Sequence, residues 1–291
     1  MTARAALWVG RVLWLIVGIT GWLAIGSALD GRATAASAAA QTGAWAMFAV
    51  GVIALIVPST VSLTALRMVA PVVPVVAVAA LAGGAGIARG LPFLAAGLIA
   101  VAASAMGELG EAFAQASAYG DERRFPLRPP VGFLLAVVVG WLVWAALLVT
   151  GFVLLVHEDW VVGVVPAALG VAASWQLGLR CHRLSRRWLV VVPAGLVVHD
   201  HLVLAETLLV QRTTLTRVGL ALTGTEAADL TGPSGGHAVE IAVREMVKIT
   251  FAPTARGADT RAIHARSFLV APTRPGRALA DAAARNLPVA S

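Results

Sequence analysis

The stretch VGFLLAVVVGWLVWAALLVTGFVLLV, residues 131–156, runs for 26 residues without a charge. A helix rises 1.5 Å per residue, so this run reaches about 39 Å. The hydrocarbon core of a bilayer is about 30 Å thick. Lipid offers no partner to a backbone N–H or C=O, so an apolar segment of this length is stable there only as a helix. Five more charge-free runs lie around it, at 12–29, 44–66, 69–88, 91–107 and 160–179. Composition agrees: 59% of the 291 residues are apolar and only 13% are charged. Soluble domains carry about a quarter charged residues, so a chain this poor in charge exposes much of its surface to lipid. The expectation is an α-helical transmembrane domain of six helices over residues 1–180.

The first run invites a second reading. Arg4 and Arg11 precede it and Ala33-Thr34-Ala35 follows, as in a secretory signal. At 18 residues it exceeds the 7–15 of a signal core, so a retained membrane helix is expected.

Arginines set the orientation. With the N-terminus inside, cytoplasmic segments hold Arg4, Arg11, Arg67, Arg123, Arg124, Arg128, Arg180, Arg183, Arg186 and Arg187, against Arg32 and Arg89 outside. That asymmetry obeys the positive-inside rule and places both termini in the cytoplasm of a multi-pass cell-membrane protein. Trp8, Trp160, Trp175 and Trp188 fall near run ends, where amphipathic rings favour the headgroup layer. Trp141 and Trp144 share a face in mid-run and are expected to pack on a neighbour. Gly18, Gly21, Gly86 and Gly90 are small residues suited to close helix approach. Pro58, Pro71, Pro74 and Pro166 are expected to kink or start helices.

Residues 108–130 form the longest polar stretch among the runs. The fourth helix is expected to continue through Glu108 and Glu111 and to break near Gly120. The arginines of the segment DERRFPLRPP, residues 121–130, together with those near 183–187, define a candidate inner-leaflet contact: Arg123, Arg124, Arg128, Arg183, Arg186 and Arg187. Each such arginine contributes about 1 kcal/mol of attraction to anionic lipid. A docking role toward the C-terminal domain is the sharper alternative for this segment.

From about residue 185 alternation replaces continuous apolar runs. WLVVV (188–192) and LVVH (196–199) flank Pro193-Ala194-Gly195, a hairpin signal. Val239, Ile241, Val243, Val247, Ile249 and Phe251 share one parity, as in two half-buried strands joined at 244–246. Further strands are expected at 202–210, 213–222 and 262–270. Pro275 then opens a helix with Leu279, Ala280, Ala283, Ala284 and Leu287 on one stripe. Residues 185–291 therefore read as a small antiparallel β domain closed by a C-terminal helix.

RRWLVVVPAGLVVH (186–199) and SFLVAPTRPGRAL (267–279) resemble the opening and closing segments of a bacterial pleckstrin-homology-type domain. The chain as a whole is similar to uncharacterised multi-pass membrane proteins of high-GC bacteria that carry such a tail. The resemblance implies a fold and a membrane setting and no particular activity. Pro193-Ala194-Gly195 carries no charge, so recognition of phosphoinositide headgroups does not carry over.

Chemistry is sparse. One cysteine, Cys181, excludes an intramolecular disulfide and a cysteine zinc cluster. His199-Asp200-His201, with His182 nearby, lacks a third regularly spaced ligand and reads as a polar turn. The glycines at 232, 235 and 236 precede no Lys-Ser or Lys-Thr, and neither Gly-x-Ser-x-Gly nor His-Glu-x-x-His occurs. No cofactor, metal, enzyme activity or nucleic-acid partner is expected. The leading expectation is a non-catalytic accessory or scaffold protein, in contact with membrane lipids and presenting its β domain to a protein partner. The alternative is a transporter or lipid-handling subunit with a regulatory β domain, in which Glu108 and Glu111 form an ion site.

Overall fold

The computed structural model describes residues 2–156, 159–253 and 261–290. The chain divides into two compact units, one of residues 1–113 with 137–182, the other of 114–136 with 183–291.

The first unit contains α1 (Ala3–Leu29), α2 (Thr34–Ile56), α3 (Thr60–Val69), α4 (Val72–Ala82) and α5 (Ile87–Ala105). It also takes most of α6 (Gly107–Ala116), α7 (Val131–Val156) and α8 (Trp160–Ser185). Among the described residues, six spans are long and apolar enough to cross a membrane: Ala3–Leu29, Thr34–Ile56, Thr60–Ala82, Ile87–Ala105, Val131–Leu155 and Trp160–Ser185. The protein is thus a multi-pass membrane protein, with span boundaries that depart from the hydropathy runs at the front.

The run at 44–66 is not one helix. Proline disfavours the helical conformation in the residue before it and lacks an N–H, so Val57 leaves the helix at φ −112°, ψ 77°. Ser59 restarts it by accepting a hydrogen bond from the Ser62 N–H at 3.0 Å. The third span is therefore Thr60–Ala82, jogged at Ala70–Pro71, and Arg67 lies inside it rather than in a loop. The fourth helix also stops early. Met106 is extended at ψ 138°, and Glu108 and Glu111 belong to the separate helix α6 instead of a continuation of α5.

On α1 the buried residues Ala6, Gly10, Trp14, Val17, Gly21, Ala24 and Ala28 recur at spacings of three and four. Leu15, Ile19 and Trp22 on the other side are exposed. An apolar residue facing out is the normal condition in lipid, where helix association rests on close packing and not on hiding apolar area. Small residues provide that closeness: Gly18 faces the Phe48 ring, Gly21 the Phe93 ring and Gly90 the Leu81 side chain. Gly86 serves differently, as the positive-φ residue (72°) that starts α5. Helices α7 and α8 form a hairpin in which a Cβ on Gly151 would lie 2.6 Å from the Ala167 nitrogen. Trp144, buried as expected, donates to Ser174 Oγ at 2.8 Å, and Trp141 donates to the Met68 carbonyl.

The second unit is a two-sheet sandwich. Strands β1 (Arg123–Pro126), β2 (Trp188–Val192), β3 (Gly195–His199) and β4 (Leu208–Gln211) form an antiparallel meander in that order. The other sheet runs β5 (Leu215–Leu220), β7 (Val239–Thr250), β8 (Ala262–Val270) and β6 (Ala228–Asp229), with β6 parallel to β8. Leu189, Val191, Leu196, Val198 and Val210 of one sheet meet Val218, Val239, Ile241, Phe268 and Val270 of the other in one core. The expected parity of residues 239–251 holds, although they make one strand with a register shift between Ala242 and Val247 rather than two.

Helix α9 (Pro275–Ala284) closes the sandwich, but with a different stripe from that expected. Ala278, Ala282 and the following Leu287 are buried and Leu279 half-buried, while Ala280, Ala283 and Ala284 face solvent. The first strand is the larger departure. Arg123–Pro126 pairs with β2, placing Phe125 at 1% exposure in the core. Thr273 N–H then donates to the Pro126 carbonyl, Leu127 N–H to that of Arg187 and Arg128 N–H to that of Ala271. The polar segment between the fourth and fifth spans is thus part of the sandwich, and helices α7 and α8 are inserted between two paired strands.

Candidate functional site

The six arginines grouped as an inner-leaflet contact have separate surroundings. Arg187 is 1% exposed and Asp200 2%. Its Nε and Nη2 donate to the two Asp200 carboxylate oxygens at 2.7 and 2.6 Å, and Nη1 donates to the Arg128 carbonyl at 2.8 Å. Asp200 Oδ1 also accepts from the Leu202 N–H, fixing the turn after β3. A guanidinium so committed inside the sandwich is withdrawn from lipid, and Arg187 leaves the candidate set. Two-point pairing of arginine with carboxylate is the geometry in which a buried charge is tolerated.

Arg124 is half-buried, donating from Nε and Nη2 to Glu122 Oε1 at 2.9 and 2.6 Å, with its Cζ 5.1 Å from the centre of the Trp188 ring. Arg128 turns toward the loop of His237, whose carbonyl accepts from Nη2, and burial lowers its affinity for a proton below the usual arginine value. Arg123, Arg183 and Arg186 are exposed. Trp188, expected at the headgroup layer, is instead 8% exposed at the start of β2.

The Trp188 ring continues into a row. His199 stacks on it at 5.2 Å and an interplanar angle of 19°, and His201 lies 6.0 Å from His199. The β2–β3 register, which sets Trp188 opposite His199, builds this row. His199 Nδ1 lies 3.1 Å from Thr207 Oγ1. Desolvation by neighbouring groups holds both the half-buried His199 and the exposed His201 below their ordinary pKa. Arg186 and Arg124 depress His199 further, while Asp200 pulls it up. His199, Arg186 and Arg183 depress His201, again against Asp200. Among the described residues, no three His, Cys, Asp or Glu side chains are gathered as metal ligands.

These shifts fix a direction for stability. A histidine whose folded pKa is depressed binds fewer protons folded than unfolded, so its contribution is complete above the unfolded pKa of about 6.5 and is lost as pH falls through the folded value. The sandwich is therefore expected to resist proteolysis less at pH 5 than at pH 7.5. Replacing both histidines with glutamine is expected to flatten that dependence. An unchanged slope in the double variant would refute the assignment.

Glu108 and Glu111 are half-buried on α6, outside the preceding span Ile87–Ala105.

Strand β8 supplies a feature the sequence reading did not single out. Among the described residues only Ala228 and Asp229 pair with its outer edge, opposite Phe268 and Leu269. Phe251 N–H donates to the Arg261 carbonyl, and the antiparallel register then makes Ile249–Ile263 and Val247–Ala265 the hydrogen-bonded pairs. The backbone N–H groups of Ala262 and His264 consequently face the open edge. An open groove lined by Thr225, Glu226, Ile263, His264, Ala265 and Arg266 lies there. His264 and Arg266 are exposed, while Ile263 and Ala265 lie against the core.

No family model matches the chain, nor does any curated protein or solved structure.

Proposed function

We propose that this protein is a non-catalytic membrane scaffold, with both termini cytoplasmic and a pleckstrin-homology-like sandwich at the inner leaflet that binds a partner protein. The observation that carries the reading is the open edge of β8. A strand edge with free donors templates the addition of another strand. Its alternation specifies the occupant: an extended segment with apolar side chains over Ile263 and Ala265 and acidic ones beside His264 and Arg266. The arginine asymmetry across the six spans supports the orientation. The scaffold reading is preferred to the transporter alternative because Glu108 and Glu111 stand outside the spans, whereas functional carboxylates of carriers lie within them.

Proline at 264 removes an outward N–H while leaving the β7 ladder its donors. In mild-detergent affinity purification, the His264→Pro protein is expected to remain folded and to lose a stoichiometric partner that the parent retains. Retention of every stoichiometric partner by the variant would sink the proposal.

A further inference from the structure

We propose that Arg183, Arg186, His199 and His201 form a contact for the phosphates of anionic lipid headgroups, and that the two histidines take up protons as the lipid docks. The inference rests on the membrane-surface setting of the sandwich and is independent of any protein partner.

Position favours lipid as the occupant. The last span ends at Ser185, with Arg183 exposed in its final turn and Arg186 exposed just beyond. Trp188 follows three residues later, and an extended chain covers at most about 3.6 Å per residue, so the ring row begins within about 11 Å of the span's end. Arg183 and Arg186, two residues before that end and one after it, sit within the roughly 10 Å reach of an anionic surface potential, and the ring row follows them along the chain.

Charge balance supplies the chemistry. His199 is faced by Arg186, Arg124 and Asp200; His201 is faced by His199, Arg183, Arg186 and Asp200. Asp200 is already bound at both oxygens by Arg187, and Glu122 pairs with Arg124. The exposed arginines Arg183 and Arg186 therefore leave an excess of positive charge beside two neutral imidazoles. A phosphate placed among them would offset the arginine repulsion, favour imidazolium and gain two further donors. The stacking of Trp188 on His199 keeps the first imidazole in place while its charge changes. By linkage, a lipid that raises histidine protonation must itself bind more tightly in acid.

The test uses the full-length protein, labelled with ¹⁵N at histidine, in nanodiscs of phosphatidylcholine alone or with phosphatidylglycerol. Single His199→Gln and His201→Gln variants identify the two resonances. The titration midpoints of both histidines are expected to rise by about one pH unit in the anionic discs. In Arg186→Gln the midpoints in phosphatidylcholine should rise and the difference between the two lipids should shrink. Equal midpoints in both lipids overturn the proposal. So does an equal rise produced in phosphatidylcholine discs by millimolar inorganic phosphate, which would make the site one for a soluble anion. Partner capture by the parent and the His264→Pro protein is scored separately, so failure of one proposal is distinguishable from failure of the other.

Discussion

Arg187→Ala is expected to destabilise the β sandwich by about 3–5 kcal/mol, the usual effect of removing one partner from a buried ion pair. The variant leaves Asp200 charged at 2% exposure with only the Leu202 N–H in place of its guanidinium partner. It also removes the donor to the Arg128 carbonyl, loosening the junction of β1 with α7. Pulse proteolysis in a urea series, scored on fragments from the C-terminal third, reads the loss. The paired replacement Arg187→Met with Asp200→Leu should recover most of it, because apolar residues of similar volume often substitute for a buried pair without penalty. A single variant as stable as the parent would show that the pair is not closed in solution. A failure of the double variant to recover would assign the effect to the lost hydrogen bonds at Arg128 and Leu202.

Phe125→Ala carries a similar expected loss, about 3–5 kcal/mol, for a different reason. Phe125 packs with Leu127, Leu189 and Phe268 in the sandwich core, yet its strand lies before the last two spans. If β1 belongs to the sandwich, the truncation should expose protease sites beyond residue 185 while leaving the membrane helices intact. An unaltered C-terminal proteolysis profile would show that β1 is dispensable there. Arg123→Ala, one turn of the pleat away and exposed, provides the comparison and should change stability by less than about 0.5 kcal/mol.

What the sequence disclosed and what it concealed follow from the range of the interactions involved. Span 131–155 was legible because lipid exposure imposes the same demand on nearly every side chain along it. The strand parity at 239–251 was legible because half-burial repeats every second residue. Val57 and Met106 mark where legibility failed: hydropathy carries no signal for a helix that stops for backbone reasons inside an apolar run. β1 was hidden more deeply. Four residues, two of them arginine and one proline, have the composition of a membrane-side linker, and their strand partner comes only after two further spans. Arg187 was grouped with its neighbours on charge alone. Its burial depends on Asp200 being brought across the β2–β3 hairpin, and that hairpin turns at Gly195, where φ is +145° and a Cβ would lie 2.1 Å from the Val210 carbonyl oxygen. The histidine row needed the same hairpin register before its members could meet.

The insertion of α7 and α8 between β1 and β2 orders the protein's manufacture. A ribosome adds about 5–20 residues per second, so seconds pass between synthesis of β1 and of its partner strand. During that interval the hairpin must enter the membrane and return, because β2 can pair with β1 only if both emerge on the same face. A hairpin that fails to return leaves β2 and the strands after it on the opposite face from β1, and the sandwich cannot close. Completion of the soluble fold therefore reports that the last two spans have been threaded correctly, and an open sandwich presents unpaired strand edges by which quality-control proteases could recognise the failure.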